Sequence, residues 1–330
     1  MPDQTERLKI YLSSRGPAEA FEVVTADAST REYFRISWNG GPAIACVYPE
    51  PSADAVGAYV DVTQLFLSAG LPVAKIYDVA ADLGIVVQED LGNGILRDKL
   101  AAADETSRLR LLDEAISLIA QIQLATPTAF DRASIASKLK FDTEKLEWEL
   151  NYFKEHYFET FLKKPLSADD DARLSAEFHE LASELETYAS VLCHRDFHAA
   201  NLMMDTQGRM RIIDHQDARI GSESYDLVSL LLDRITVLPP REWLAEKRSF
   251  FIDLRVRLGL PRLDDEEFAY QFRLQTVQRC LKAAGTFSFQ SVNRGKTYFV
   301  PFIKPMLQMA ARSSESLGRF SAIREVCGPV

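Results

Sequence analysis

Three polar side chains near the middle of the chain have the types and spacing that phosphoryl transfer requires. Asp196 is followed by Asn201 and then by Asp214. Amide and carboxylate oxygens are hard ligands that suit Mg²⁺, which usually takes one or two carboxylates together with phosphate oxygens and water. A separate carboxylate that accepts the proton of an attacking hydroxyl completes the set. The pattern therefore predicts Mg²⁺ ligands at Asn201 and Asp214 and a proton acceptor at Asp196.

The residues between Asn201 and Asp214 indicate a β-hairpin. Two short apolar runs, 202–204 and 210–213, flank the turn-forming residues of 205–208. A simple hairpin with two central residues would place Asn201 opposite Asp214, with their Cβ atoms about 4.5–5.5 Å apart.

The order of the predicted elements indicates an α+β protein with two lobes. Short β-branched and aromatic runs predict strands between residues 20 and 88, around one helix over 54–69. A polar, glycine-rich break follows, and helical periodicity then continues to the C-terminus. We predict a small β-rich lobe over 1–88, a hinge over 89–94 and a larger helical lobe over 95–330.

The composition of the chain argues against several other classes of protein. Thirty-eight basic and 48 acidic residues give a net charge of -10, which argues against a surface for nucleic acid. The apolar runs are far shorter than the roughly 20 residues that span a bilayer. Four widely spaced cysteines are typical of free thiols in a reducing compartment. We therefore expect a cytoplasmic protein whose partner is a small molecule, not a nucleic acid or a membrane.

The sequence also resembles a known family over most of its length. HRDFHAANLMMD, from residue 194, and RIIDHQDARIGSESYDLVSLLLD, from residue 211, resemble the catalytic core of the aminoglycoside phosphotransferase and choline kinase family, of protein-kinase-like fold. Residues 26–36 and 281–301 are similar to the bacterial amino-sugar anomeric kinases that act on N-acetylmuramate and N-acetylglucosamine. The resemblance implies an ATP- and Mg²⁺-dependent kinase for the anomeric hydroxyl of an amino sugar. An aminoglycoside or choline-type acceptor is the alternative.

The resemblance also assigns roles to individual residues. Asp196 would be the catalytic base, Asn201 and Asp214 the Mg²⁺ ligands, and Asp226 a buried carboxylate that braces the catalytic loop. The residues that would contact the nucleotide are Ser29, Thr30 and Arg31 over the phosphates, and the backbone of Gln88, Glu89, Asp90 and Leu91 beside the adenine.

One feature of kinase-like folds is missing from this sequence. These folds place a Lys on the third strand, paired with a Glu on the next helix. Here Val47 occupies the expected Lys position, and the predicted helix over 54–69 contains no Glu. Losing both partners together leaves neither charge buried alone. Arg31 and Arg35 are the candidates for the cation that meets the phosphates.

Two functions from other classes stay open. Without the Lys–Glu pair the chain could be a nucleotide-binding module with no catalysis, although a binding module has no use for Asp196. His194, His198, Asp196 and Asp214 could instead bind a transition metal in a metallohydrolase.

Overall fold

The computed structural model describes residues 2–15, 20–24 and 30–328, which form two compact units. The first unit contains Met1–Ala115, Pro127–Ile135 and Ala199–Ala218, and the second contains the remaining segments, Ile116–Thr126, Ala136–His198 and Arg219–Val330. Residues 89–94 lie inside the first unit. The predicted lobe boundary at 89–94 stays a prediction.

The first unit is built on a five-stranded antiparallel sheet in the order β1-β2-β3-β5-β4. Its strands match the predicted β-rich pattern, and β2 alternates between exposed and buried residues because one of its faces meets the core. The bounds of the sheet and its two flanking helices are α1 (Gln4–Ser13), β1 (Glu22–Val24), β2 (Glu32–Trp38), β3 (Gly41–Val47), α2 (Ala53–Ser68), β4 (Ile76–Ala80) and β5 (Ile85–Glu89).

Strand β3 is buried on both faces of this sheet. Ala45 packs in one apolar cluster with Leu8 of α1, and Cys46 packs in another with Val56 of α2. Helix α1, which has no counterpart among the predicted elements, begins at a capping box formed by Asp3 and Glu6. Burial on both faces explains why β3 is a continuous apolar run.

The predicted hairpin forms in the first unit, but its register differs from the prediction by one residue. Strands β6 (Gly94–Ile95), β8 (Leu202–Met204) and β9 (Met210–Ile212) make a sheet in the order β6-β8-β9. Leu202 pairs with Ile212, so the hairpin is centred on Gln207. The Asp205 carboxylate accepts hydrogen bonds from the backbone N–H groups of Gln207 at 2.9 Å and Arg209 at 3.0 Å, which makes a five-residue turn.

The second unit is mostly helical, with a two-stranded antiparallel sheet of β7 (Val191–Cys193) and β10 (Arg219–Gly221). The helices predicted near 106–124 and 167–190 are confirmed, and the one predicted over 141–162 is α7 continued by a π-helix over Glu155–Phe161. Across both units, the helices that follow β6 in the chain are α3 (Leu96–Ala102), α4 (Glu105–Leu124), α5 (Thr126–Asp131), α6 (Ile135–Lys138), α7 (Thr143–Lys154), α8 (Ala168–Thr187), α9 (Tyr225–Leu231), α10 (Arg241–Arg257), α11 (Asp265–Asn293), α12 (Val300–Leu317) and α13 (Ser321–Cys327).

Helix α11 packs very closely on α7. A Cβ atom added to Gly285 of α11 would lie 2.5 Å from the Cα atom of Phe153 in α7, so only glycine allows this approach. None of the helices formed by the described residues is long and apolar enough to cross a membrane.

Candidate active site

A buried carboxylate holds the loop that leads to Asp196 in the second unit. Asp226, in the first turn of α9, is fully buried and accepts hydrogen bonds from the backbone N–H of His194 at 2.6 Å and of Arg195 at 3.1 Å. Arg195 has a φ of 85°, a conformation that is unfavourable for a residue with a side chain. The two hydrogen bonds hold the loop in this shape, which confirms the bracing position predicted for Asp226.

The side chain of Asp196 lies among three cations of the same unit. Its carboxylate is 3.0 Å from Lys282 Nζ, 3.9 Å from Arg279 Nη2 and 3.8 Å from Arg195 Nε. Burial raises the pKa of Asp196, but the charges of Lys282, then Arg195 and Arg279, outweigh it and hold the pKa well below its usual range. The side chain is 29% exposed, so an ionised carboxylate is presented to solvent.

Sequence reasoning missed Lys282 and Arg279. They are three residues apart on α11 and therefore share one face of the helix. Burial, then the like charge of Arg279, lower the pKa of Lys282, while Asp196 opposes this effect. Their spacing marks two basic residues on one helix face, but no local pattern indicates that Asp196 is their partner.

A chain of buried polar groups fixes the adjoining face of α11. Glu149 is 1% exposed and accepts a hydrogen bond from Gln278 at 2.8 Å, and Gln278 in turn accepts one from Gln275 at 3.0 Å. Arg279 donates to the Tyr225 hydroxyl at 2.8 Å and lies 4.8 Å from the centre of that ring. Connected polar groups of this kind hold each other in one arrangement. The contact with Tyr225 positions Arg279 beside Asp196.

In the first unit, the predicted Mg²⁺ ligand Asp214 pairs with Arg31. An Nη atom of Arg31 donates to the Asp214 carboxylate, and the other donates to Gln216 Oε1 at 3.3 Å. The Arg31 side chain is 12% exposed, and its guanidinium lies 5.7 Å from the centre of the Tyr48 ring. Val47, at the position expected for the missing Lys, is fully buried. Arg31 is thus the candidate cation that lies beside Asp214.

Arg35, the other candidate cation, is engaged in contacts that hold two segments of the first unit together. Its Nε atom lies 2.6 Å from Asp90 Oδ2, and its Nη2 atom donates to Asn93 Oδ1 at 2.9 Å. These contacts tie β2 to the segment after β5. The pKa of Asp90 is correspondingly low, because its hydrogen bonds with Arg35 and the Gly92 N–H outweigh the opposing effect of burial.

The side chains predicted to lie beside the adenine are engaged within the protein. Gln88 accepts a hydrogen bond from the Tyr59 hydroxyl, and Leu91 is buried. The Glu89 carboxylate forms an ion pair with Arg211 at 2.7 Å. Asp90 is paired as described above. Any contact of this segment with a nucleotide base would therefore come from the backbone.

The turn predicted to lie over the phosphates is described in part. Thr30 is exposed, and its carbonyl accepts a hydrogen bond from Gln4 Nε2 at 3.2 Å. Ser29 lies outside the described residues.

Residues on both sides of Asp214 are fixed to the first unit. Before it, Arg211 is 6% exposed, contacts Glu89, and donates to the Val73 carbonyl at 2.8 Å. After it, His215 is buried, with its Nε2 atom 2.7 Å from Thr63 Oγ1. Asp214 itself has a φ of 61°. These anchors determine where its carboxylate lies.

Asn201 ends a short 3₁₀ helix, and its carbonyl accepts a hydrogen bond from the backbone N–H of Ile213 at 3.0 Å. It therefore lies beside the residue that precedes Asp214, instead of directly opposite Asp214 as predicted. One amide and one carboxylate are a donor set that fits Mg²⁺ with phosphate oxygens and water completing the shell.

The metallohydrolase alternative finds no structural support among residues 2–15, 20–24 and 30–328. In these ranges no group of three or more His, Cys, Asp or Glu side chains is arranged to hold a metal ion. His194 is fully buried, and its ring packs edge-on against Phe197 at 5.5 Å.

The sequence matches known phosphotransferases over most of its length. The model of the phosphotransferase enzyme family matches residues 20–263. The N-acetylmuramate/N-acetylglucosamine kinase of Neisseria meningitidis serogroup B is 32% identical, over 98% of this chain and 96% of that protein. A protein of the same name from Caulobacter vibrioides is 28% identical, over 84% of this chain and 74% of its own length.

Solved structures show the same fold. Choline kinase LicA from Streptococcus pneumoniae has a TM-score of 0.59 and 15% identity, with 93% of this chain and 99% of that chain covered. The structure of LicA in complex with AMP also has a TM-score of 0.59, with 16% identity and coverage of 93% and 98%. The predicted α+β, protein-kinase-like fold class is thereby confirmed. The chain belongs to the phosphotransferase enzyme family, and its predicted class, a small-molecule kinase, is confirmed.

Proposed function

We propose that this enzyme transfers the terminal phosphoryl group of ATP to the anomeric hydroxyl of an amino sugar, N-acetylmuramate or N-acetylglucosamine. The name of the Neisseria relative, which aligns over nearly the full length of both chains, supports the acceptor. The AMP complex of LicA supports an adenine nucleotide as donor. The observation that carries the proposal is the ionised, partly exposed Asp196 held beside Lys282 and Arg279.

Asp196 would orient the attacking hydroxyl. Its ionised carboxylate can accept a hydrogen bond from a sugar hydroxyl, but its depressed pKa makes it a weak base. Phosphoryl transfer proceeds through a loose transition state that needs little deprotonation of the attacking oxygen beforehand. Asp196 would therefore position the oxygen first and take its proton late, as the new P–O bond forms.

Lys282 and Arg279 would serve the same step through their charges. Both cations approach the same Asp196 oxygen, keep the carboxylate ionised and fix its orientation. Fixed charges act strongly in a site where they need not reorganise during the reaction. Lys282, which lies closer, is a positioning residue for Asp196.

Asn201 and Asp214 would hold Mg²⁺, which when bound neutralises negative charge on the phosphates. Arg31 would meet the triphosphate in place of the missing third-strand Lys. Its guanidinium already lies beside Asp214, and arginine binds phosphate through two parallel hydrogen bonds. The backbone of Gln88, Glu89, Asp90 and Leu91 would meet the adenine, and the turn of Ser29 and Thr30 would lie near the phosphates.

The test is ADP release with Mg·ATP and a panel of acceptors: N-acetylmuramate, N-acetylglucosamine, choline, homoserine and kanamycin. We expect release with the two amino sugars, near-complete loss in Asp196→Asn, and normal release in Asp253→Asn, a matched change at an exposed residue of α10. Calorimetry should show that Asp196→Asn still binds ATP.

Two results would contradict this proposal. Wild-type turnover in Asp196→Asn would remove the residue from the mechanism. ATP binding without ADP release for any acceptor would favour the nucleotide-binding module.

A further inference from the structure

Four arginines from three helices of the second unit line one pocket. Arg241 and Arg248 come from α10, Arg273 from α11 and Arg312 from α12. The pocket has a volume of about 70 Å³, several times the space that one water molecule needs. Within the described part of the chain, no carboxylate is among its lining residues. None of its lining residues is assigned above to catalysis or to the nucleotide.

Two of these guanidinium groups have no polar partner among residues 2–15, 20–24 and 30–328. Arg273 forms neither a hydrogen bond nor an ion pair with any residue that the structure describes. Arg248 lies 5.2 Å from the centre of the Phe272 ring and likewise has no polar contact among the described residues. Both side chains are half-buried. Their hydrogen-bond donors are therefore available to a ligand that enters the pocket.

The other two guanidinium groups are only partly satisfied. Arg312 donates to the backbone carbonyl of Pro239 at 2.8 Å, and Arg241 donates to the Ser316 hydroxyl at 2.9 Å. Glu315 approaches Arg241 at 3.9 Å, with both side chains more than half exposed. An exposed pair at this distance contributes little, so the positive charge of the pocket is not neutralised.

The arginines also repel one another. Burial, then the charge of Arg273, lower the pKa of Arg248. Burial, then the charge of Arg241, lower the pKa of Arg312. The whole chain carries a net charge of -10, so this positive cluster is opposite in sign to the rest of the molecule. An anion bound among the four arginines would offset the repulsion.

We propose that this pocket binds the phosphate group of a small phosphorylated molecule. Arginine forks match the geometry of phosphate oxygens, and four of them suit a group with more than one negative charge. Ser313 adds a hydroxyl to the lining, and Leu244, Phe272 and Met309 add an apolar surface for an organic part of the ligand. The proposal does not depend on which sugar the active site accepts.

The test is calorimetric titration at constant ionic strength with three probes: inorganic phosphate, pyrophosphate and N-acetylglucosamine 1-phosphate. We expect at least one probe to bind the wild-type protein and to bind the double variant Arg248→Gln/Arg273→Gln at least tenfold more weakly. Arg257→Gln, an exposed arginine of α10 outside the pocket, should bind as the wild type does. N-acetylglucosamine 1-phosphate is also the product of the proposed reaction, so only a preference for it over inorganic phosphate that the double variant loses would identify an organic ligand of this pocket.

The thermal midpoint provides a second measurement if the double variant folds poorly. Inorganic phosphate should raise the midpoint of the wild type and of Arg257→Gln by more than it raises that of the single variant Arg273→Gln. An equal affinity in the wild type and the double variant would place the anion elsewhere and overturn the proposal. Absence of wild-type binding with all three probes at about 10 mM, a concentration that would reveal even a millimolar dissociation constant, would overturn it as well.

Discussion

Replacing the Asp226 carboxylate gives the sharpest prediction. The free energy of its two hydrogen bonds can be compared with the cost of the unfavourable backbone angle at Arg195. Hydrogen bonds to an ionised group contribute about 1.5–3 kcal/mol each. A positive φ at Arg195 costs about 1–2 kcal/mol. The two bonds to the N–H groups of His194 and Arg195 therefore outweigh the strain, and the loop before Asp196 keeps its shape.

Asp226→Asn reverses this balance with almost no change in volume. The amide oxygen can keep one neutral hydrogen bond, but the amide NH₂ then faces the second N–H and leaves a buried donor unsatisfied, at about 1–3 kcal/mol. We take the free energy lost with these hydrogen bonds as about 2 kcal/mol. This corresponds to a fall of about thirtyfold in the fraction of molecules whose catalytic loop keeps its native conformation. We therefore expect kcat to fall at least tenfold, in proportion to that population.

Overall stability should respond differently from activity. Burial raises the pKa of Asp226, opposed by His194 and the backbone N–H groups, so the charged form is costly to bury. The neutral amide removes that cost and offsets part of the lost hydrogen bonding. The thermal midpoint of Asp226→Asn should therefore change little while kcat falls.

The assay that tests this reasoning is a double-mutant cycle with Arg195→Gly, measured as ADP release with Mg·ATP and N-acetylglucosamine. Glycine adopts a φ of 85° without strain, so Asp226→Asn should cost less activity when combined with Arg195→Gly than it does alone. The cycle cancels the loss of the Arg195 charge, because that loss is common to the Arg195→Gly single variant and the double variant. Equal costs with and without the glycine substitution would refute the argument from backbone strain.

Three other substitutions have effects that follow from single contacts. Lys282→Met should raise the pKa of Asp196, so the acid limb of the kcat–pH profile should move to higher pH; an unmoved limb would contradict the role of the ion pair. Arg31→Gln should raise the KM for ATP at least tenfold, from one charge-assisted hydrogen bond of about 1.5–3 kcal/mol, and leave the sugar KM unchanged; equal effects on both would argue against a phosphate contact. Arg211→Met leaves the Glu89 carboxylate without its ion-pair partner and Asp205 with only the exposed Arg209, and it should lower the free energy of unfolding by about 3 kcal/mol. The measurement is unfolding in urea, with Arg209→Met, which removes only the exposed pair with Asp205, as the comparison.

Local patterns were sufficient to predict most of the elements. The strands β2 and β3 follow from short runs of β-branched and aromatic residues, and α4 and α8 follow from their apolar periodicity. The capping box at Asp3 and Glu6 was a local signal for α1 that sequence reasoning missed. These features depend on neighbours in sequence, so sequence patterns carry them.

The other missed features depend on side chains that act across a turn or a long stretch of chain. The hairpin register changed because the Asp205 carboxylate binds the backbone of Gln207 and Arg209 and adds a residue to the turn. Lys282 meets Asp196 from 86 residues away, and no local pattern records such a pairing. The positions of Asp196 and Asp214 followed from motif spacing, whereas their cationic partners required the structure.

The partners of these two carboxylates account for the missing Lys–Glu pair. Before the nucleotide binds, a phosphate-binding cation without an ion-pair partner would be an uncompensated charge, which is strongly destabilising when buried. Here Arg31 is paired with Asp214, and Lys282 is paired with Asp196. On our proposal, the nucleotide and the acceptor would exchange these ion pairs for contacts with phosphate and a sugar hydroxyl. The third-strand Lys is then dispensable, because each proposed substrate contact already has a cation stabilised by the carboxylate with which it works.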